Sequence, residues 1–184
     1  MKRILFLVFL LSSVSLFAQQ QNESADYYRG KTFIGGDFVV GKLSDSYGGL
    51  MGVSVGRNIS PRFAAGIGGH FLLFNDYISV SAVSVAPFVR YNFVMDGPVA
   101  LYAQANLVIA AAFEKSSTAG AFWPNITAGM SYRLSEHFTA FAQMGLISTV
   151  IFTFGKDIPS LDLKETPMVC GFTRYPALGI YYTF

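Results

Sequence analysis

The sequence has little charge, one cysteine, two histidines and no long apolar run beyond its first residues. Asp, Glu, Lys and Arg make up 13% of the 184 residues, against roughly 25% in an average soluble domain. So little charge excludes a disordered chain, and the lack of a basic stripe argues against a nucleic-acid binder. Because Cys170 stands alone, neither an intrachain disulfide nor a cysteine metal cluster can form. Apolar residues (52%), aromatic residues (16%) and 18 glycines dominate instead.

The first 18 residues have the parts of a secretory signal peptide. Lys2 and Arg3 are positively charged, residues 4–11 are apolar, and small residues precede a cleavage point after Ala18. Residues 19–31 are polar and without periodicity, which predicts a flexible leader. Without Lys2 and Arg3 the chain carries 11 basic and 11 acidic residues, so the exported part is neutral.

Beyond residue 31 the apolar residues recur with period two, which is the signature of β-strands. Val83, Val85 and Val89, for example, alternate with Ser84 and Arg90. The pattern predicts eight strands, over residues 32–42, 49–58, 62–74, 79–93, 99–113, 122–134, 138–152 and 171–184. Their lengths suit the roughly 9–11 residues with which a tilted strand crosses a bilayer, whereas a membrane helix needs about 20 apolar residues.

The connections between the predicted strands alternate in length. Tight turns are predicted at 59–61, 95–98 and 135–137, and more variable loops at 43–48, 75–78, 114–121 and 153–170. Short turns on one rim and longer loops on the other are typical of an outer-membrane barrel. An even strand number places both chain ends on the short-turn rim. The segment ISPRFAA at 59–65 also resembles LSEHFTA at 134–140, which indicates repeated hairpins.

Large apolar residues alternate with small or polar ones on the predicted strands. Met51, Val53 and Val55 alternate with Gly52 and Ser54. An eight-stranded barrel is just wide enough to be filled by side chains, so the small, polar set suits the lumen and the large apolar set suits lipid. A soluble, lipocalin-like barrel is the alternative and would reverse the two faces. An aromatic girdle at the headgroup level is predicted beside the tight turns, from Phe63, Tyr91, Phe93, Tyr132 and Phe138.

The chain ends in LGIYYTF at 178–184, a terminal aromatic residue preceded by alternating apolar residues. With the segments 55–66 and 86–91, this ending resembles the small OmpA/OmpX-type outer-membrane β-barrel domain, over about residues 32–184. The resemblance implies an all-β, eight-stranded antiparallel up-and-down transmembrane β-barrel. It also implies that Tyr182 and Phe184 belong to the signal recognised by the outer-membrane assembly machinery.

The same family includes lipid A deacylases, whose base and nucleophile are arranged as His-x-Ser. Here the corresponding sequences are His70-Phe71-Leu72 and His137-Phe138-Thr139. The serine is missing from both, so the resemblance carries no enzymatic activity to this chain. His70 is interpreted as a packed residue of the lumen, and His137 as a solvated turn residue.

Two sets of inward-facing residues are the candidate sites. The first is a polar network in the lumen, formed by Arg90, Gln104, Arg133 and Gln143 near the turn rim and by Asp37 at mid-height. Because buried charges need partners, the two arginines are expected to engage Asp37 or backbone carbonyls and to close the pore. The second set lies nearer the loop rim and forms an apolar cup that either packs the upper core or holds a hydrophobic ligand: Leu72, Phe74, Val80, Val108, Trp123 and Ile147.

The sequence thus predicts a monomeric, non-catalytic protein of the outer membrane with a structural or surface-interaction role. Its partners would be outer-membrane lipid and the assembly machinery, both termini would be periplasmic, and no cofactor, metal or nucleic acid is expected. One alternative is binding or transport of a small hydrophobic ligand through the apolar cup, and another is a lipid A-modifying enzyme. A lipid-sized pocket would favour the first alternative, and a serine near His70 the second.

Overall fold

The structure, a computed structural model, describes residues 29–43, 46–75, 81–114, 117–148, 152–155 and 175–184. These residues form nine strands: β1 (Thr32–Leu43), β2 (Ser46–Asn58), β3 (Phe63–Asn75), β4 (Ser81–Asp96), β5 (Val99–Glu114), β6 (Ser117–Arg133), β7 (Phe138–Ser148), β8 (Phe152–Gly155) and β9 (Ala177–Thr183). In this part of the chain no helix is long and apolar enough to cross a membrane. The predicted signal peptide and the leader up to residue 28 lie outside the described residues.

The strands close into a barrel. Each strand from β1 to β6 pairs antiparallel with the next one along the chain, and β9 lies between β7 and β1. The short strand β8 pairs with β6 beyond the end of β7, so β7 and β8 together occupy one position in the ring. The result is the closed eight-stranded antiparallel barrel that the sequence predicts.

Several predicted boundaries differ from the structure. The strand predicted at 138–152 is divided between β7 and β8, and the last strand begins at Ala177 rather than at residue 171. Strand β4 continues to Asp96, and its register with β5 shifts between Asn92 and Val94. Phe93 lies at this irregularity and is half-buried. One extra residue in a strand ends the simple alternation of faces, so the place of Phe93 in the aromatic girdle stays a prediction.

Three tight turns lie on one rim of the barrel, which we call the turn rim. In two of them the backbone N–H of Ile59 donates to the Phe63 carbonyl and that of Leu134 to the Phe138 carbonyl, both at 2.8 Å. In each, the serine after the donor accepts a hydrogen bond from the N–H of the phenylalanine, at 3.0 and 3.2 Å. The third turn contains Gly97 with φ of +53°, a conformation that favours glycine. The matching bonds confirm the repeated turn seen in the sequence.

Burial alternates along the strands as the sequence predicts. On β4, Val85 and Val89 are about half exposed, whereas Ala86, Phe88 and Arg90 are buried. Exposed large apolar side chains occur on each of the strands β1 to β7 and on β9. The outer surface is therefore apolar and the interior contains a buried charge, which is the reverse of a soluble barrel.

Candidate functional site

Arg90 lies inside the barrel with 7% of its surface exposed. Its Nε donates a 2.9 Å hydrogen bond to Gln104 Oε1, and its Nη2 donates to the same oxygen at 2.7 Å. Nη2 also donates to the Tyr181 hydroxyl at 2.5 Å. The β4–β5 register places Arg90 directly opposite Gln104, which brings the guanidinium fork onto one amide oxygen. Hydrogen bonds from a charged donor are roughly twice as strong as neutral ones.

Aromatic rings surround the same guanidinium. Its Cζ lies 4.2 Å from the centroid of Tyr102, 4.9 Å from that of Tyr181, and 5.8 Å from those of Phe33 and Phe88. A guanidinium is weakly hydrated and planar, so aromatic faces suit it better than they suit an ammonium. We call Arg90, its hydrogen-bonding partners and these four rings the plug.

Each luminal ring of this region lies against a glycine of the neighbouring strand. The strand registers pair Tyr181 with Gly35, Phe33 with Gly56, Phe88 with Gly66, Tyr102 with Gly129 and Phe141 with Gly179. A side chain at any of these glycines would collide with its ring. The glycine content of the sequence therefore has a structural cause: it makes room for rings to lie along the inner wall.

Two of the predicted polar residues join the plug, and Asn106 extends it. Gln104 Nε2 donates to Asn106 Oδ1 at 2.7 Å. The Tyr102 hydroxyl donates to Gln143 Oε1 at 3.3 Å. The structure thus brings Arg90, Gln104 and Gln143 into one network, with each amide held in a defined orientation.

The other two predicted members lie apart from Arg90. Arg133 is half-buried at the turn rim, where β6 pairs it with Thr139 of β7. Asp37 Oδ1 lies 3.3 Å from His70 Nε2. The hydrogen bonds of Arg90 among the described residues go to amide and hydroxyl oxygens. The expectation that Asp37 is its partner is therefore wrong, because neutral acceptors and ring faces occupy the space around the guanidinium.

A cavity of about 180 Å³ lies beside the plug, on the side away from the turn rim. Its polar lining residues include Gln104, Asp37, His70 and Asn125. Its walls are mostly apolar, and alanines form much of them: Ala86, Ala110, Ala112, Ala119, Ala121 and Ala177. These small side chains leave the upper lumen open where larger ones would fill it.

Trp123 Nε1 and Asn125 Oδ1 are buried polar atoms, on residues that line this cavity, with no hydrogen-bond partner among the described residues. Asp37 Oδ1 also makes no hydrogen bond, but it lies 3.3 Å from His70 Nε2. Trp123 and Asn125 have 5% and 9% of their surfaces exposed. A buried polar group without a partner costs about 1–3 kcal/mol.

The predicted apolar cup corresponds only in part to this cavity. Val108 and Trp123 line it. Ile147 does not: 61% of its surface is exposed, and it pairs with Ile126 on the outer face. Placing Ile147 in the lumen is wrong, because the β6–β7 register shifts between Ile126 and Thr127. Val80 and the side chains of Leu72 and Phe74 lie outside the part of the chain that is described.

His70 has a serine beside it on the next strand, since the β3–β4 register pairs it with Ser84. Asp37, His70 and Ser84 all line the cavity. A serine nucleophile needs its base within hydrogen-bond reach. Within the described ranges no hydrogen bond joins His70 to Ser84.

Tyr182 and Phe184 lie in an aromatic cluster on the outer face at the turn rim. The Tyr182 ring is 5.2 Å from that of Phe138 and 5.0 Å from that of Phe184. His137 stacks on Tyr182 at 5.3 Å, and its Nδ1 lies 2.9 Å from the Thr183 carbonyl oxygen. The end of the chain is thus attached to the turn between β6 and β7.

Sequence reasoning did not predict that aromatic rings surround Arg90. The sequence signal for these rings is that Phe88 and Tyr181 occupy inward positions of their strands. Which rings meet Arg90 depends on closure of the barrel, since Arg90 and Tyr181 are 91 residues apart in the chain.

A closed eight-stranded barrel with short turns on one rim is the fold of the small outer-membrane β-barrels. The N-terminal barrel domain of Pseudomonas aeruginosa OprF has this fold, with a TM-score of 0.56 and 16% identity over 85% of this chain and 98% of that one. Neisserial surface protein A (NspA) has the same fold, with a TM-score of 0.56 and 16% identity over 85% of this chain and 100% of that one. The outer membrane protein OprG of Pseudomonas aeruginosa is also similar, with a TM-score of 0.54 and 13% identity over 88% of this chain and 99% of that one. No family model and no curated protein sequence matches the chain.

Proposed function

We propose that the protein is a monomeric, non-catalytic integral protein of the outer membrane with a structural or surface-interaction role. The apolar outer surface carries this proposal. Along β4 the exposed apolar side chains extend from Val83 to Tyr91. That is about 26 Å of strand at about 3.3 Å per residue, or about 20 Å of height at a tilt of about 40°. The lipid-facing band of such barrels is about 25 Å tall.

The aromatic residues support the same proposal. Phe63 and Tyr91 are exposed neighbours with ring centroids 4.9 Å apart, and Tyr132 and Phe138 are also exposed near the turn rim. Rings of this kind favour the level of the lipid headgroups. In water, this surface would be a large apolar patch of the kind that causes aggregation.

Folding of the purified protein into detergent micelles tests the proposal. We expect β-type circular dichroism and a gel band that migrates differently before and after boiling, because the closed barrel resists unfolding by detergent. A protein that folds and stays monomeric in buffer without detergent would contradict the proposal.

We further propose that the plug closes the lumen to ions. Arg90 and the rings around it are buried inside the barrel. The interior of an eight-stranded barrel is just wide enough to be filled by side chains. Planar-bilayer recordings of the wild-type barrel should therefore show little steady conductance. Replacing Arg90 and Arg133 together with alanine should permit leakage or prevent folding. Large, stable single-channel steps from the wild-type protein would contradict the plug.

Binding of a small, mainly apolar ligand is a second candidate function. One observation favours it: the cavity of about 180 Å³ has walls formed largely by alanines. A lumen that was only a packed core would not leave this space. Saturable binding of a small apolar probe by the folded barrel is the test, and a folded barrel that binds none would contradict this function.

A further inference from the structure

A second, smaller pocket lies on the turn-rim side of the plug, and we call it the rim pocket. Its volume is about 40 Å³. A water-sized atom needs about 10–15 Å³ of such space, so the rim pocket admits about three atoms of that size. Apart from Tyr181, its polar lining residues are Asn58, Arg90, Asn92, Ser131, Thr139 and Thr183.

Arg90 lines the rim pocket but not the larger cavity. Its Nε and Nη2 donate to Gln104 and Tyr181, whereas Nη1 donates to no group in the described part of the chain. The partnerless polar atoms that no water-sized atom can reach belong to other residues, namely Asp37, Trp123 and Asn125. Nη1 therefore has two N–H groups without a protein acceptor and a surface that a small ion can touch.

The positive charge of Arg90 has no acidic hydrogen-bond partner. Its acceptors in the described ranges are neutral oxygens, and the rim pocket has no Asp or Glu among its described lining residues. Buried charges in proteins are ordinarily paired, because a lone ion loses its hydration without compensation. A bound anion would supply this pairing, whereas the guanidinium would repel a cation from the same pocket.

Three hydroxyl groups line the rim pocket, on Ser131, Thr139 and Thr183. In the described part of the chain none of these hydroxyls forms a hydrogen bond. The β7–β9 register pairs Thr139 with Tyr181, whose hydroxyl accepts from Arg90. Because a hydroxyl hydrogen rotates to suit its acceptor, these groups can add neutral donors around an anion beside Arg90.

The charged side chains of the turn rim also favour an anion. The basic ones outnumber the acidic ones in the described residues, with Arg29, Lys31, Arg57, Arg62 and Arg133 against Asp96 and Glu136. A surface with an excess of one charge raises the local concentration of ions of the opposite sign. Anions are therefore concentrated at the rim on which this pocket lies.

We propose that the rim pocket binds one small monovalent anion, with a halide such as chloride as the best fit, as the counter-ion of Arg90. Nη2 already donates to both Gln104 and Tyr181, so neither two-nitrogen edge of the guanidinium is available for bidentate binding of a carboxylate. A single-atom acceptor suits Nη1 alone. The plug separates this pocket from the upper lumen, so the anion binds without crossing the barrel, and the site is independent of the apolar-ligand function.

Replacement of gluconate by chloride tests the site in the barrel folded in a non-ionic detergent. Sodium concentration stays constant, so screening is unchanged, and gluconate is too large for the rim pocket. Urea unfolding is followed by the fluorescence of Trp123, the single tryptophan. A ligand that binds only the folded state lowers the unfolding equilibrium constant by the factor 1 + [L]/Kd, so we expect a fall of about elevenfold when chloride reaches ten times its Kd.

The NMR line of chloride gives a second readout that does not depend on unfolding. Chloride that exchanges with a protein site has a broader line than free chloride, so the folded barrel should broaden it. Bromide should reverse the broadening at a lower concentration than formate does, because formate is a carboxylate. Formate that competes as well as bromide would overturn the preference for a halide.

Four variants locate the effect. Arg90→Met removes the cation and should abolish the chloride dependence. Ala100→Leu fills the rim pocket but keeps Arg90, and it should abolish the dependence as well. Thr139→Val combined with Thr183→Val keeps the side-chain shapes, removes two hydroxyls and should weaken chloride binding at least about tenfold. Ala105→Leu is the matched control, since Ala105 lies on the same strand as Ala100 but on the exposed outer face; it should bind chloride as the wild type does.

Heat-modifiable migration is measured on every sample, so failure of the anion site is distinguishable from failure of the membrane-barrel proposal. A folded wild-type barrel without chloride dependence or line broadening would overturn the site and leave water as its occupant. Unchanged chloride binding in folded Arg90→Met or in folded Ala100→Leu would overturn the location. If Arg90→Met does not fold, Ala100→Leu and the threonine double variant decide the outcome.

Discussion

Arg90→Met tests whether the plug stabilises the barrel as well as closing it. The change removes three hydrogen bonds and leaves Gln104 Oε1 and the Tyr181 hydroxyl without their charged donor. Each buried group left unsatisfied costs about 1–3 kcal/mol, or about 2–6 kcal/mol for the two. Methionine keeps apolar contact with the surrounding rings, and the variant no longer buries a charge. We therefore expect a net loss of about 2–4 kcal/mol in the free energy of unfolding.

Urea unfolding of the barrel in lipid vesicles, followed by Trp123 fluorescence, measures this loss. Arg57→Met is the matched control, because Arg57 is exposed and its Nε donates a 3.2 Å bond to the Gly30 carbonyl. It should cost less than about 1 kcal/mol. Arg90→Lys should fall between wild type and Arg90→Met, since an ammonium cannot form the guanidinium fork. Equal stabilities of Arg90→Met and Arg57→Met would refute the reasoning.

Two further predictions concern the wall and the end of the chain. Gly129→Val should prevent folding, because the new side chain would overlap the Tyr102 ring. Gly36→Val should fold, because a side chain at Gly36 meets only ordinary van der Waals contact. The folded yield of the two variants in detergent tests this difference. Deleting residues 182–184 should lower the amount of folded barrel in cells far more than deleting residues 19–31, and equal losses would contradict the role given to the C-terminal strand.

The barrel and its two faces follow from the sequence because alternation is a local property of each strand. On β4, the apolar Val85 and Val89 alternate with Ala86 and Arg90. This alternation is enough to assign an outer and an inner face. The pattern fails where a strand carries an extra residue. After Phe93 the residues of β4 face the opposite side from the one that simple alternation predicts. Nothing in the sequence before Phe93 signals this irregularity.

The partners of Arg90 depend on contacts that only closure of the barrel creates. Asp37 was the natural candidate, because opposite charges attract and both residues face inward. In the structure a tyrosine from the last strand and a glutamine from the adjacent strand reach the guanidinium, and Asp37 lies beside His70 instead. The sequence left open whether the apolar cup is packed or hollow, because its volume reflects how alanines from four strands meet.

The location of the protein in the cell envelope tests the central proposal most directly. The chain is expressed with its own N-terminal segment in a bacterium with two membranes, and the envelope is separated by density. We predict recovery in the outer-membrane fraction, resistance to alkaline extraction and heat-modifiable migration, because the exposed apolar face requires lipid. Recovery of the folded protein in the soluble periplasmic fraction would contradict the proposal.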